Sequence, residues 1–165
     1  MSGDGDAQMA RAPFQVLILP FCRTGRNIEY AIFRRSDAGY WQGIAGGGED
    51  EETPLEAARR EAGEEAGISA DSHFLVLDAV SKVPVEEVVG TLLWGEDVLV
   101  IPEYCFGVEV ASKRLALSRE HAGYRWVRYD TAIEMLHWVS NKTALSELNH
   151  RVSRHAEDRG ARSRV

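Results

Sequence analysis

The chain reads as an α/β domain built on a mixed β-sheet. Apolar runs of strand length recur from Phe14 to Tyr129. A helix with clear start and stop signals interrupts them after Glu52, and helical spacing of apolar residues returns beyond Asp130. Strands before and between helices bury their faces most simply as a sheet with helices packed on it.

Phe14 to Leu19 (FQVLIL) is continuously apolar, as in a strand covered on both faces. Ile28 to Phe33 (IEYAIF) is a second strand, and Ser36-Asp37-Ala38-Gly39 reads as a turn. Trp41 to Ile44 is a short strand leading into a glycine-rich loop, Ala45 to Gly48. Thr53 then supplies an N-cap, Pro54 the first helical position and Glu56 the reciprocal partner of a capping box. Gly67 is placed to end that helix. His73 to Val85 alternates loosely, Val98 to Val110 is β-rich, and Tyr124 to Tyr129 (YRWVRY) alternates. A second helical region starts near Asp130 and Thr131, breaks around Ser140-Asn141, and resumes through Leu145, Leu148 and Val152.

With 165 residues the chain suits one domain and needs no disulfide or structural zinc to build a core. Residues 13–150 show no internal linker or repeat and are taken as that domain. Residues 1–12 are polar and small and are expected to be flexible. Residues 151–165 carry five arginines and form a basic tail, read as a solvated helix end. Cys22 and Cys105 lack any CxxC neighbour, which gives no zinc or redox motif and suggests two ordinary thiols in a reducing compartment. The acidic start of the chain is unlike a secretory leader, and no run reaches membrane-span length. The expectation is therefore a cytoplasmic protein with no membrane partner. A formal net charge of -7 argues against duplex nucleic acid. A small phosphorylated substrate remains compatible, because a bound divalent cation reverses the local sign of an acidic site.

The helix after Thr53 carries the chemistry. Leu55, Ala58, Ala62 and Ala66 fall on one stripe, and their mostly small side chains suit close packing on a sheet. Glu61, Glu64 and Glu65 cluster on an adjacent face at i, i+3 and i+4. Such carboxylates repel one another and raise each other's pKa unless a cation sits among them. Oxygen-only ligands of this kind suit Mg²⁺ or Mn²⁺. Alone, three glutamates read as a solvated acidic face; the preceding glycines change that, since they let backbone approach a metal or phosphate closely.

Gly46, Glu52, Arg60-Glu61-Ala62-Gly63-Glu64-Glu65-Ala66-Gly67-Ile68 together resemble the Nudix box, G-x5-E-x7-R-E-U-x-E-E-x-G-U with U aliphatic, at every fixed position. The resemblance implies an α/β/α sandwich with a mixed sheet, the box forming a loop-helix-loop. It also implies hydrolysis of a nucleoside diphosphate linked to another group, by attack of water on phosphorus. It assigns Glu61, Glu64 and Glu65 to Mg²⁺ binding or base catalysis, and adds the backbone carbonyl of Ala45 as a metal ligand. Gly46, Glu52, Arg60 and Gly67 receive structural roles. Many members have Pro-Gly-Gly where this chain has Ala45-Gly46-Gly47, a change in loop stiffness that leaves the glutamates intact.

Ser118-Arg119-Glu120-His121-Ala122-Gly123-Tyr124-Arg125-Trp126 is similar to a second segment, seen in the branch typified by bacterial dihydroneopterin triphosphate pyrophosphohydrolase. There a loop glutamate serves catalysis or metal binding, which maps onto Glu120; His121 is the weaker candidate. Ser140-Asn141-Lys142 matches a further segment of that branch, with Lys142 as a phosphate contact and helix capping as the alternative. Arg35 is a second candidate for substrate phosphate, and Arg34, Lys82 and Lys113 are others. Trp41, Trp94, Tyr104, Trp126 and Trp138 are available to stack on a base or to fill the core. The resulting expectation is an Mg²⁺-dependent pyrophosphohydrolase of a small nucleoside or pterin triphosphate, in a chain that can form a homodimer. Other substrates of the same chemistry are nucleotide sugars, dinucleoside polyphosphates and RNA 5′ ends. A nucleotide-sensing domain without turnover is the remaining reading.

Overall fold

The computed structural model describes residues 10–162, with side chains described to Arg154. Seven strands and four helices follow one another: β1 (Arg11–Thr24), β2 (Asn27–Arg35), β3 (Trp41–Gln42), β4 (Ile44–Glu49), α1 (Pro54–Ala66), β5 (His73–Pro84), α2 (Val85–Val89), β6 (Val100–Glu109), β7 (His121–Val127), α3 (Tyr129–Met135) and α4 (Val139–Arg162). Among the described residues the strands form one mixed sheet in the order β3-β2-β1-β6-β5, with β4 also on β1 and β7 also on β2. The pairing of β1 with β6 is parallel; the other strand pairs are antiparallel.

The apolar run of β1 explains its central place. Val16 and Ile18 face the α1 side of the sheet with Phe33, Ile44 and Phe106. Leu17, Leu19 and Phe21 face the other side with Cys105, Leu145 and Leu148. Both faces are thus covered, and the architecture is the expected α/β/α sandwich. Cys22 and Cys105 are buried free thiols. No helix among the described residues is long and apolar enough to cross a membrane.

Helix α1 follows its local signals. The Thr53 hydroxyl accepts from the Glu56 amide, the Glu56 carboxylate accepts from the Thr53 amide, and Gly67 closes the helix in the left-handed region at φ 67°. Ala57, Ala58, Ala62 and Ala66 are buried, so the helix axis lies close to the sheet.

Two local expectations need correction. Ala45 to Gly48 is not a loop but part of β4, paired with β1 from Ile44 to Glu49. The glycines serve close packing rather than turning: a Cβ on Gly46 would overlap the Glu61 carboxyl, and one on Gly48 would overlap the Phe14 ring. The break between the last two helices falls at Leu136–Trp138, ahead of Ser140-Asn141. There the backbone turns aside to bridge Trp41, and the His137 amide donates to the Trp41 carbonyl at 2.9 Å. Ser140 and Asn141 lie inside the first turn of α4, which runs on past residue 150 with Val152 in the core. β1 itself begins at Arg11, and residues 1–9 lie outside the described residues.

Candidate active site

Arg60 organises the acidic face of α1. Its guanidinium grips Glu52 with two bonds, Nε to Oε2 at 2.9 Å and Nη2 to Oε1 at 3.0 Å. Nη2 also donates to the Gly47 carbonyl at 2.8 Å. Nη1 bridges the two carboxylates ahead of it, reaching Glu61 Oε1 at 3.0 Å and Glu64 Oε2 at 3.2 Å. The Glu52 carboxylate accepts in addition from the Glu49 amide at 2.7 Å, which ties helix, strand and connecting turn together. The bond from Arg60 holds the Glu52 carboxyl below its usual range.

The glutamates differ in setting. Glu61 lies against Gly46, and burial pushes its pKa up to about 7 despite Arg60. Glu64 is exposed. Glu65 is buried and accepts a bond from the Ser118 hydroxyl at 2.5 Å. Burial raises its pKa, and the carboxylates of Glu120 and Glu64 push the same way. Glu120, exposed on the turn before β7, is therefore brought to the box glutamates, as is Ser118 from the same turn. Ala45 precedes Gly46 on β4, opposite Leu17.

His121 follows Glu120 but is buried, with neither ring nitrogen hydrogen-bonded. Its Nε2 comes within 3.4 Å of Glu65 without bond geometry. Burial lowers its pKa, partly offset by the Glu120 carboxylate. Arg35 pairs with His121 in strand register and donates twice to Asp37 at 2.8 Å. Lys142 stands on the first turn of α4, half-buried, next to an Asn141 whose side-chain oxygen accepts from the Gly43 amide at 2.8 Å. Lys113 is occupied by Glu29 at 3.0 Å. Trp126 donates to the Lys113 carbonyl and Trp138 to Gln42.

Sequence reasoning passed over Arg11, Gln15 and Ser118. Arg11 lies against Gly47, where a Cβ would overlap its guanidinium, and donates to Gln15 Oε1 at 3.0 Å. It also lines a cavity of about 780 Å³ with Pro13, Glu49, Asp50, Leu93 and Trp94, a volume suited to a small ligand. Its place within an otherwise small and polar N-terminal stretch gave no signal.

Among the described residues no three His, Cys, Asp or Glu side chains converge as a preformed metal cage, since Arg60 spans Glu61 and Glu64. The donor set nonetheless fits a hard divalent cation: carboxylate oxygens from Glu61, Glu64, Glu65 and Glu120, of which the half-buried Glu61 and the buried Glu65 have raised pKa.

Comparison with known proteins gives a consistent picture. The NUDIX domain model matches residues 15–148. A crystal structure from Listeria monocytogenes str. 4b F2365, described as a NUDIX hydrolase, is 41% identical, spans 88% of this chain and 97% of its own, and superposes with a TM-score of 0.79. Dihydroneopterin triphosphate diphosphatase of Escherichia coli K12 is 24% identical over 139 residues, 83% of this chain and 92% of that protein. The structure of the E. coli dihydroneopterin triphosphate pyrophosphohydrolase is 19% identical, spans 86% and 99% of the two chains, and has a TM-score of 0.69, a likeness of fold.

Proposed function

The chain belongs to the Nudix hydrolases, and on that premise we propose that it is an Mg²⁺-dependent pyrophosphohydrolase of a small nucleoside or pterin triphosphate. The observation that carries this reading is the meeting of Glu120 with Glu65 beside Glu61 and Glu64, four carboxylates whose mutual repulsion calls for a divalent cation. The named activity of the E. coli relative supports the substrate class.

Glu61, Glu64, Glu65 and Glu120, with the Ala45 carbonyl, would hold Mg²⁺, or Mn²⁺ in its place. The bound ion supplies neutralisation of phosphate charge and a lower pKa for the attacking water. In this reading a carboxylate among Glu64, Glu65 and Glu120 takes the proton of that water, with Glu64 and Glu120 exposed and Glu65 buried. Water oxygen bonds to the α-phosphorus, the bond from that phosphorus to the bridging oxygen breaks, and pyrophosphate leaves with that oxygen. Arg35 and Lys142 supply positive charge to the phosphates, and Arg60, held by Glu52, keeps the box glutamates in register.

The test is phosphate release with and without a coupling pyrophosphatase, over dNTPs, NTPs, dihydroneopterin triphosphate, nucleotide sugars and dinucleoside polyphosphates, each with and without Mg²⁺. The expected result is Mg²⁺-dependent turnover of a triphosphate that yields orthophosphate only through the coupling enzyme. Glu64→Gln and Glu65→Gln are each expected to lower kcat at least about a hundredfold. Unchanged kcat in both variants, or direct orthophosphate release, refutes the assignment.

A further inference from the structure

A second polar group sits inside the fold away from the box. Glu103 on β6 is 6% exposed, and its Oε1 is buried with no hydrogen-bond partner. A buried carboxylate left unpaired is costly, and burial alone raises its pKa. Its neighbours in the sheet are specific. Glu103 is in register with Gln15 of β1, and Gln15 is in register with Gly47 of β4. Cross-strand partners share a face, and two residues on, Leu17 and Cys105 pack in the cluster that α4 covers. Glu103 and Gln15 therefore lie side by side on the α4 face, Gln15 one strand spacing and Glu103 two, about 10 Å, from Gly47 at the start of the box. That distance is comparable to the span between the ring and the phosphates of a nucleotide.

Gln15 is also oriented. Its Oε1 accepts from Arg11, which leaves its amide N–H groups as the free donors. The pair thus offers two carboxylate acceptors beside one amide donor. The complementary ligand edge carries two adjacent donors and one acceptor. A 2-amino-4-oxo heterocycle has that edge: an exocyclic amine, a ring N–H and a carbonyl, as in guanine and in pterins. Adenine and cytosine put a ring nitrogen acceptor where the carboxylate needs a donor.

We propose that Glu103 and Gln15 form the recognition pair for the substrate's heterocycle and select a 2-amino-4-oxo ring. This rests on the reading that the substrate is a small triphosphate carrying such a ring, and it names which ring. Glu103 is a specificity residue here, remote from the phosphates. An unpaired buried carboxylate is then a binding group that awaits its partner.

Equilibrium binding separates this from the reaction itself. Metal-free calorimetry on the full chain with dGMP and with dAMP is expected to show a preference for dGMP. Glu103→Gln is expected to reduce that preference about tenfold or more. Gln15→Ala, a second variant that leaves the buried acid in place, is expected to weaken dGMP binding while dAMP binding holds. Melting curves of each variant verify folding. Equal binding of the two monophosphates by the unaltered chain, no binding of either, or a full dGMP preference in folded Glu103→Gln overturns the pair. Selective dGMP binding supports it even where no triphosphate is turned over, so the two readings fail separately.

Discussion

Glu52→Gln isolates what the Arg60 network contributes. The substitution keeps the side-chain shape but replaces one acceptor oxygen by an N–H₂ group and removes the charge. Of the two bonds from Arg60, at 2.9 and 3.0 Å, one is lost and the other loses its ionic character. The side chains of Arg60 and Glu52 are only 22% and 14% exposed, so water replaces the lost bond poorly. A charge-assisted hydrogen bond in such a setting contributes about 1.5–3 kcal/mol. A loss of about 2 kcal/mol lowers Tm by about 4–8 °C for a chain of this size. The second effect is on the metal site. Arg60 Nη1 already touches Glu61 and Glu64, and a guanidinium released from Glu52 swings further onto them. If about 1 kcal/mol of attraction is redirected, the Mg²⁺ half-saturation concentration rises about fivefold. The assays are a thermal melt followed by circular dichroism and an Mg²⁺ titration of turnover, with Glu51→Gln, an exposed neighbour, as control. The pH dependence has a definite sign. Arg60 holds the folded-state pKa of Glu52 below the ordinary 4.5, so this stabilisation is complete above that value and is lost as pH falls through the folded pKa. The difference in Tm between the two proteins is therefore expected to shrink in acid. A Glu52→Gln protein that melts within about 1 °C of the parent at pH 7, with the same Mg²⁺ half-saturation, refutes the reasoning.

Three other perturbations follow from the same geometry. Asn141→Ala leaves the buried Gly43 amide without its acceptor and is expected to cost about 1–3 kcal/mol, read as a lower denaturant midpoint with an unchanged slope. Gly46→Ala drives a Cβ into the Glu61 carboxyl, so Glu61 must move; the protein is expected to fold but to lose at least about tenfold in kcat, measured by pyrophosphate release at saturating Mg²⁺. Glu103 has a raised folded-state pKa, so its contribution to stability is present at low pH and lost as pH rises through that value. Glu103→Gln is therefore expected to gain Tm relative to the parent on going from pH 5 to pH 8, and a parallel pair of Tm curves would contradict the burial argument.

Much of this was legible in the sequence where the signal is local. The helix start at Thr53, its stop at Gly67 and the spacing of Glu61, Glu64 and Glu65 depend on neighbours within a few residues, and each appears in the structure as read. Six of the seven strands lie where the apolar runs are, with ends shifted by a few residues, and the seventh, β4, lies on the glycine run read as a loop. The glycine run misled because glycine signals a turn locally, whereas here it clears space for Glu61, Arg11 and Phe14, which come from elsewhere in the chain. The helix break misled because Ser140 and Asn141 look like caps, yet Asn141 is spent on Gly43, 98 residues away. The meeting of Glu120 with Glu65 came from family resemblance, since 55 positions of sequence separate them. Arg11, Gln15 and Glu103 were invisible for the same reason: strand register sets Gln15 beside Gly47 and Glu103, and Arg11 beside Glu49, and a single sequence does not display register.

The two halves of the site rest on different parts of the sandwich, and that bears on how they can vary. The glutamates stand on α1, whose alanine stripe fixes it to one face of the sheet, and Arg60 locks their spacing to β4 through Gly47 and to the turn through Glu52. A change in any of these parts moves the chemistry. Glu103 and Gln15 project from strand interiors on the opposite face and share with the box only the backbone of β4 and the side chain of Arg11. On the proposal above, replacing them alters which ring is held without moving a box glutamate. Specificity is then free to change while the hydrolytic machinery is conserved, and the coupling between the two runs through Arg11, which touches both Gln15 and the strand that carries Gly46. Arg11 is thus the position at which a substitution should disturb selectivity and turnover together. A variant there that altered only one of them would show that the faces act independently.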